Sequence, residues 1–154
     1  YLVNRPWAAL VNVSSVFGFV GPPNAADYAA SKFAIRGFTE AMHSELAQLY
    51  PSVQVHLVHP GGIATNITRT PQSQAFHDKF LKTKPIDLAN AILEGVMRNQ
   101  ARVVFGHRSG LVQRLSRWLP LKWLSKAIGS EMKSLNMTTE YQKDHPGFTL
   151  RNKP

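Results

Sequence analysis

A phenol and an ammonium, those of Tyr28 and Lys32, stand four residues apart in a stretch whose apolar spacing predicts a helix. Residues at positions i and i+4 of a helix share one face, so the two groups would lie one turn apart. At an effective dielectric of about 20, a positive charge ~4 Å away favours phenolate over phenol by up to ~4 kcal/mol. Tyr28 could therefore act as an acid or a base near neutral pH. Pairs of Tyr and Lys at this spacing also occur by chance on solvated helix faces.

Two further polar or turn-forming segments follow predicted strands. Ser15 comes two residues after the apolar run Ala8 to Val13 and precedes Tyr28 by 28 − 15 = 13 residues, while Pro60 and Gly61 follow a second apolar run. Open parallel sheets bind ligands at the carboxyl ends of their strands. We therefore expect Ser15, Tyr28 and the turn at Pro60 to meet in one crevice.

The elements that must position these residues alternate between strand and helix. The first run is short, partly β-branched and apolar except for Asn12, which predicts a strand buried on both faces. Asn24 and Asp27 resemble a capping box that opens a long helix ending before Pro51, with an apolar stripe that includes Phe33, Phe38 and Leu49. The further expected elements are a strand at 53–58, a short helix at 75–81, a helix from 85 and a strand at 101–105. This order predicts an α/β fold with a parallel sheet.

Three segments, in order and with the right spacing, resemble the short-chain dehydrogenase/reductase family. They are Val-Asn-Val-Ser-Ser at 11–15, Tyr-Ala-Ala-Ser-Lys-Phe-Ala at 28–34 and His-Pro-Gly-Gly-Ile-Ala-Thr at 59–65. The resemblance covers roughly residues 1–106 and implies a Rossmann-like, doubly wound parallel sheet of which the later strands and helices are present. It also implies an oxidoreductase that interconverts a carbonyl and a secondary alcohol, with a small-molecule ketone or alcohol as substrate.

The resemblance assigns a role to each matching residue. Tyr28 would be the general acid/base, Ser15 would hydrogen-bond the substrate oxygen, and Lys32 would favour the Tyr28 phenolate and bind the ribose hydroxyls of the cofactor. We choose Ser15 over Ser14 on the 13-residue interval, and expect Ser14 to be a buried strand-end residue bonded to backbone. The cofactor would be NAD or NADP. The cofactor-binding residues implied are Tyr28, Lys32, Pro60, Gly61, Ile63 and Thr65.

The sequence departs from the family pattern in its first part. The family begins with a glycine-rich turn that cradles the cofactor diphosphate, whereas the glycine spacing at 18–21 lacks the G-x-G-x-x-G pattern and follows the wrong strand. We therefore expect the carboxyl-terminal portion of a longer enzyme, homo-oligomeric when full length and inactive as this portion alone. The alternative is a non-catalytic truncated chain that acts only in association with a subunit or a membrane surface.

Composition sets the broad class of the protein. The chain has 154 residues, 44% of them hydrophobic, which suits one ordinary domain. Because the chain has no cysteine, a disulfide scaffold and a Cys-ligated zinc site are excluded. The six histidines are not accompanied by an H-E-x-x-H motif or by clustered carboxylates, so a metal site is not expected. We expect a cytoplasmic protein. The formal net charge of +9 suits an anionic cofactor or an anionic membrane, and a nucleic-acid partner is not expected.

Beyond residue 106 the resemblance gives no guidance. Residues 107–135 read as a basic amphipathic helical extension and residues 136–154 as a polar, flexible tail. In the extension, apolar residues that include Trp118 recur at helical spacing around Pro120, with Arg114 and Arg117 to one side. Packing within the protein or against a subunit is the favoured interpretation, and a membrane surface is the alternative left open.

Overall fold

The computed structural model describes residues 1–65 and 74–133 of the chain. The predicted tail at 136–154 lies outside the described residues, as does part of the predicted excursion after Thr65. The described elements are β1 (Ala8–Val13), α1 (Ala26–Leu49), β2 (Val53–Pro60), α2 (Gln74–Phe80), α3 (Pro85–Met97), β3 (Arg102–Phe105), α4 (Ser109–Trp118) and α5 (Leu121–Lys133), with single 3-10 turns at Leu2–Asn4 and Val16–Gly18.

The three strands form one parallel sheet in the order β1-β2-β3. Ala8 pairs with Val53 and Val13 with Val58, so β1 and β2 end at nearly the same level. Strand β3 is shorter, and its pairing with β2 begins at Leu57 and Arg102. The predicted α/β fold with a parallel sheet is confirmed, and the carboxyl ends of β1 and β2 lie side by side.

Strand β2, rather than β1, is the buried strand of this sheet. Five consecutive residues of β2, from Val55 to His59, are buried, whereas in β1 the single buried residue is Ala8 and Val13 is 44% exposed. The prediction that β1 is buried on both faces is therefore wrong. The reason is topological, because within the described residues β1 has a neighbouring strand on one side alone.

Helix α1 packs against the sheet through a narrower stripe than its sequence suggests. Its buried residues are Ala29, Thr39 and Leu46. Met42 of the predicted stripe is partly buried against the sheet, whereas Phe33, Phe38 and Leu49 are exposed. The helix also starts differently from the prediction: its N-cap is Ala25, and Asn24 adopts a left-handed backbone conformation with a φ of 58°.

Two hydrophobic clusters hold these elements together. The first lies between α1 and the starts of β1 and β2, with Leu46 packed on Ala8, Val53 and Val55. The second is formed by buried Phe19, Val20 and Leu124, against which partly buried side chains of α4, α5 and β3 pack. Those packed side chains include Val104, Val112, Leu115, Leu119 and Ile128. The loop after β1 is therefore covered by α4 and α5.

Trp118 does not share in this packing. Its neighbours in sequence, Leu115 and Leu119, turn towards the second cluster as the helical spacing predicts, but Trp118 is 81% exposed. Trp118 is therefore not packed within the described part of the chain, and packing against a subunit or a membrane surface stays a prediction. In the part of the chain that the structure describes, no helix is long and apolar enough to cross a membrane.

Candidate active site

Tyr28 and Lys32 lie in the first two turns of α1, next to the carboxyl end of β1. The Lys32 Nζ atom is 5.5 Å from the centroid of the Tyr28 ring. It also donates a hydrogen bond to the Val13 carbonyl oxygen at 3.4 Å. Both side chains are half-buried. The ammonium is thus held between the last residue of β1 and the phenol ring, as the i, i+4 spacing predicts.

Ser15 is the second residue after β1 and is 8% exposed. It is the N-cap of the 3-10 turn that follows, and its Oγ atom accepts a hydrogen bond from the Phe17 backbone N–H at 3.2 Å. The Phe17 ring in turn meets the Tyr28 ring edge-on, with centroids 6.1 Å apart and an interplanar angle of 88°. The serine and the tyrosine are therefore joined through Phe17.

Ser14 has a structural role. Its Oγ atom donates to the Lys32 carbonyl oxygen at 2.8 Å, and its backbone N–H donates to the Val58 carbonyl oxygen at 2.8 Å. It is a buried strand-end residue bonded to backbone, as predicted. These bonds fix the end of β1 against both α1 and β2.

His59 is a component of the site that the sequence interpretation missed. Its ring is fully buried near the end of β2, and Nδ1 lies 2.7 Å from the Ser15 carbonyl oxygen. A carbonyl oxygen can only accept, so Nδ1 carries the proton and Nε2 is the bare nitrogen. The ring stacks on Phe19 with centroids 4.0 Å apart. A histidine directly before Pro60, at the carboxyl end of the strand, is the signal that could have found it.

The protonation of His59 is set by its burial. The pKa of His59 is lowered to about 4, chiefly by burial and to a smaller extent by the nearby cations Arg102 and Arg36, while the hydrogen bond to Ser15 opposes this shift. The Nε2 atom is buried and has no hydrogen-bond partner among the described residues. The ring is therefore neutral at physiological pH.

The turn after β2 brings the chain close to two other segments. The Gly61 N–H donates to the Phe105 carbonyl oxygen at 2.7 Å. A Cβ atom at Gly61 would overlap the His107 carbonyl, and one at Gly62 would overlap the Phe80 carbonyl, so both positions require glycine. The backbone of the turn is therefore held close to β3 on one side and to the end of α2 on the other.

The remaining predicted cofactor residues continue from this turn. Ile63 forms an isolated parallel bridge with Thr83, and the Thr65 N–H donates to the Ile63 carbonyl oxygen at 2.9 Å. Thr65 is exposed and borders residues 66–73, which the structure does not describe. Pro60 is the last residue of β2, opposite Phe105 of β3. All four predicted residues, Pro60 included, thus lie at or beyond the carboxyl end of β2.

The predicted residues fall into two groups. Ser15, Tyr28 and Lys32 gather at the end of β1, and Pro60, Gly61, Ile63 and Thr65 follow the end of β2. Among the described residues no hydrogen bond joins the second group to Tyr28 or Lys32. His59 links the groups, because it precedes Pro60 and is bonded to Ser15. An open cavity of about 290 Å³ lies elsewhere, beside Thr39, His43 and Arg102.

Comparison with known proteins shows which family this region resembles. Residues 1–75 match the family model described as short chain dehydrogenase. This part of the chain is similar to short-chain dehydrogenases. The matched region contains every residue of the two groups at the ends of β1 and β2, and it ends after the turn that carries Gly61 and Gly62.

Two relatives show how much of a short-chain dehydrogenase the chain represents. It is 39% identical to SadH of Mycobacterium tuberculosis over 118 residues, which cover 70% of this chain and 43% of SadH. It is 50% identical to a cyclopentanol dehydrogenase of Comamonas over 68 residues, which cover 42% of this chain and 26% of that enzyme. The chain thus spans less than half the length of these relatives.

Solved structures of short-chain dehydrogenases share the fold. One from Burkholderia cenocepacia, in complex with NADP, superposes with a TM-score of 0.61 at 23% identity, covering 78% of this chain and 48% of that one. Another from Burkholderia phymatum, in complex with NAD, gives a TM-score of 0.63 at 21% identity, covering 75% and 48%. The Rossmann-like architecture predicted from the sequence is confirmed.

Proposed function

We propose that this chain is the carboxyl-terminal portion of an NAD(P)-dependent oxidoreductase that interconverts a carbonyl and a secondary alcohol. The observation that carries the proposal is the position of the Lys32 ammonium, 5.5 Å from the Tyr28 ring and bonded to the Val13 carbonyl at the end of β1. An ammonium fixed there places a positive charge beside the phenol ring. The Tyr28 hydroxyl is the group suited to give a proton to a substrate oxygen or take one from it.

Ser15 would orient the same substrate oxygen. Its Oγ atom already accepts one hydrogen bond from Phe17, and in that position its own proton is available for donation. Since the Ser15 carbonyl is tied to His59, the backbone that carries this hydroxyl is fixed on both sides. A fixed donor aimed at an oxygen stabilises the negative charge that develops there during reduction.

The residues present fit one end of a nicotinamide cofactor. Lys32 offers a half-buried cationic donor suited to ribose hydroxyls, and the turn at Gly61 follows the end of the neighbouring strand β2. The residues that would hold the cofactor are Tyr28, Lys32, Pro60, Gly61, Ile63 and Thr65. When bound, such a cofactor supplies or accepts the hydride. The choice between NAD and NADP is left open, since the solved relatives include one with each.

The proposal that the chain is a carboxyl-terminal portion rests on two observations. The chain covers 43% of SadH. Its sequence also lacks the G-x-G-x-x-G pattern with which the family cradles the cofactor diphosphate. A complete enzyme of this kind would act as a homo-oligomer on a small-molecule ketone or alcohol.

The test uses the chain together with the protein sequence encoded upstream of Tyr1. We expect it to transfer deuterium from 4-deuterated NADH or NADPH to a ketone, with cyclopentanone as the first probe because a relative is a cyclopentanol dehydrogenase. Deuterium in the alcohol product would support the proposal. If the folded protein transfers deuterium to none of a panel of ketones, the non-catalytic alternative is favoured. The feature that motivates this alternative is the side of β1 that pairs with no strand among the described residues.

A further inference from the structure

The turn between α4 and α5 carries large apolar side chains in solvent. Trp118 is 81% exposed, Leu121 77% and Trp123 61%, and we call these three residues the exposed tip. They lie within six residues of one another, on either side of Pro120. Burial of a large apolar side chain normally contributes roughly 1.5–3 kcal/mol, so three left in solvent indicate a surface that meets something else.

The inner side of the same helix pair is already occupied. Leu115, Leu119, Leu124 and Ile128 pack on the second hydrophobic cluster around Phe19. The three side chains of the exposed tip stay in solvent although these neighbours on the same two helices are packed. The packing of the helix pair therefore does not cover the exposed tip.

Cations surround the exposed tip. Arg114 lies on the exposed face of α4 with Trp118, four residues away, and Arg117 lies beside them. Lys122 and Lys126 lie on the exposed side of α5. The sequence contains no acidic residue from 108 to 130, and in the described part of the chain these four basic side chains form no ion pair.

We propose that the exposed tip and its four surrounding cations form a docking surface for an anionic lipid membrane. Tryptophan prefers the boundary between headgroups and acyl chains, where its ring is apolar and its N–H stays hydrated. Lysine and arginine near an anionic leaflet each strengthen binding, and their long side chains reach the headgroups while the apolar tip inserts. The surface would lie on the membrane, held by a short helical hairpin.

Charge argues for lipid over a second copy of this chain. A symmetric dimer through the exposed tip would place four cations against the same four cations, which is unfavourable. A different patch of a second copy would have to supply the opposite charge, yet the chain has 9 acidic residues against 18 basic ones. An anionic bilayer presents dense negative charge and an apolar interior together.

A flotation assay with the 154-residue chain tests this without reference to enzymatic activity. The probes are phosphatidylcholine vesicles with and without about one third phosphatidylglycerol. We expect the chain to float with the anionic vesicles at about 0.05 M salt and to remain at the bottom at about 0.5 M salt. With pure phosphatidylcholine we expect binding at least about tenfold weaker.

Matched variants separate the exposed tip from general stickiness. Trp118→Ala combined with Trp123→Ala should lower the partition coefficient at least about tenfold, as should Arg114→Gln combined with Arg117→Gln. Trp7→Ala removes a tryptophan that is 57% exposed outside the tip and should leave flotation unchanged. Circular dichroism checks that each variant is folded. The proposal is overturned by no flotation with anionic vesicles, by flotation that the tip variants do not weaken, or by self-association in the absence of lipid that the tip variants abolish.

Discussion

The Nδ1 atom of His59 lies 2.7 Å from the carbonyl oxygen of Ser15, so a buried ring of β2 holds the backbone of the residue that follows β1. This hydrogen bond connects the carboxyl ends of β1 and β2, where the residues of the candidate site lie. The folded protein holds the His59 ring in its neutral form, because burial, with a smaller effect of two arginines, lowers the pKa of His59 to about 4.

Acid should destabilise the protein through His59. Its pKa is about 4 in the folded state against an ordinary value near 6.5, so between these values the unfolded chain binds the extra proton. The contribution is fully present above pH 6.5 and is lost as the pH falls towards 4. From the two pKa values, urea unfolding should show a loss of roughly 2–3 kcal/mol between pH 7 and pH 4.5 from this group.

The His59→Asn variant isolates that effect, because the Asn amide can still donate to the Ser15 carbonyl but does not titrate. The variant should lose less free energy of unfolding over the same pH range than the wild type does. His56→Asn, at a second fully buried histidine of β2, is the control for loss of a buried imidazole ring. Equal acid sensitivity of wild type and His59→Asn would contradict the assignment.

Gly62→Ala should destabilise the turn after β2. The added Cβ atom would overlap the Phe80 carbonyl, and backbone cannot rotate away as a side chain can. We expect a loss of about 1–3 kcal/mol in the free energy of unfolding. Gly37→Ala in the middle of α1 meets nothing within 4 Å and should instead stabilise by about 0.5–1 kcal/mol. A neutral effect of Gly62→Ala in denaturant titrations would show that the turn is looser than described.

The order and limits of the strands and helices follow directly from the sequence. The apolar run at Ala8 to Val13 is β1, and the helix predicted to end before Pro51 ends at Leu49. Strand β2 extends two residues beyond its apolar run, to Pro60. Such local features depend on apolar period, proline and glycine, which are visible in one sequence.

Burial could not be predicted in the same way, because it depends on which elements become neighbours. A continuous apolar run suits a doubly buried strand, yet Val13 is exposed since β1 has no second neighbour among the described strands. The bond from His59 to Ser15 spans 44 positions and exists because β1 and β2 pair in one register. The family resemblance located Tyr28 and Lys32, whose relation is local to one helix.

The 154-residue chain alone should not bind NADH or NADPH at micromolar concentrations. Its sequence has no glycine-rich turn of the G-x-G-x-x-G kind, so backbone donors for the cofactor diphosphate are missing from the chain. Titration calorimetry of the monomeric chain tests this expectation. Micromolar binding would show that the groups at the ends of β1 and β2 hold the cofactor without a diphosphate cradle.

Lys32→Ala should impair both binding and turnover in the chain extended by its upstream sequence. The substitution removes the cation beside the Tyr28 ring and the donor proposed for the ribose hydroxyls, so KM for the cofactor should rise and kcat should fall. Lys84→Ala, at an exposed lysine before α3, is the matched control and should behave as wild type. A fall in kcat with an unchanged KM for the cofactor would show that Lys32 does not bind the cofactor and acts through Tyr28 alone.

The most direct measurement is the turnover of Tyr28→Phe in the chain extended by its upstream sequence. The substitution removes one hydroxyl and keeps the ring that Phe17 contacts. We expect kcat for ketone reduction to fall at least about 10²-fold with cofactor affinity unchanged, because the proton donor alone is lost. Tyr50→Phe, at an exposed tyrosine after α1, should retain wild-type activity. A Tyr28→Phe variant that keeps more than about a tenth of the wild-type kcat would contradict the assignment of Tyr28 as the general acid/base.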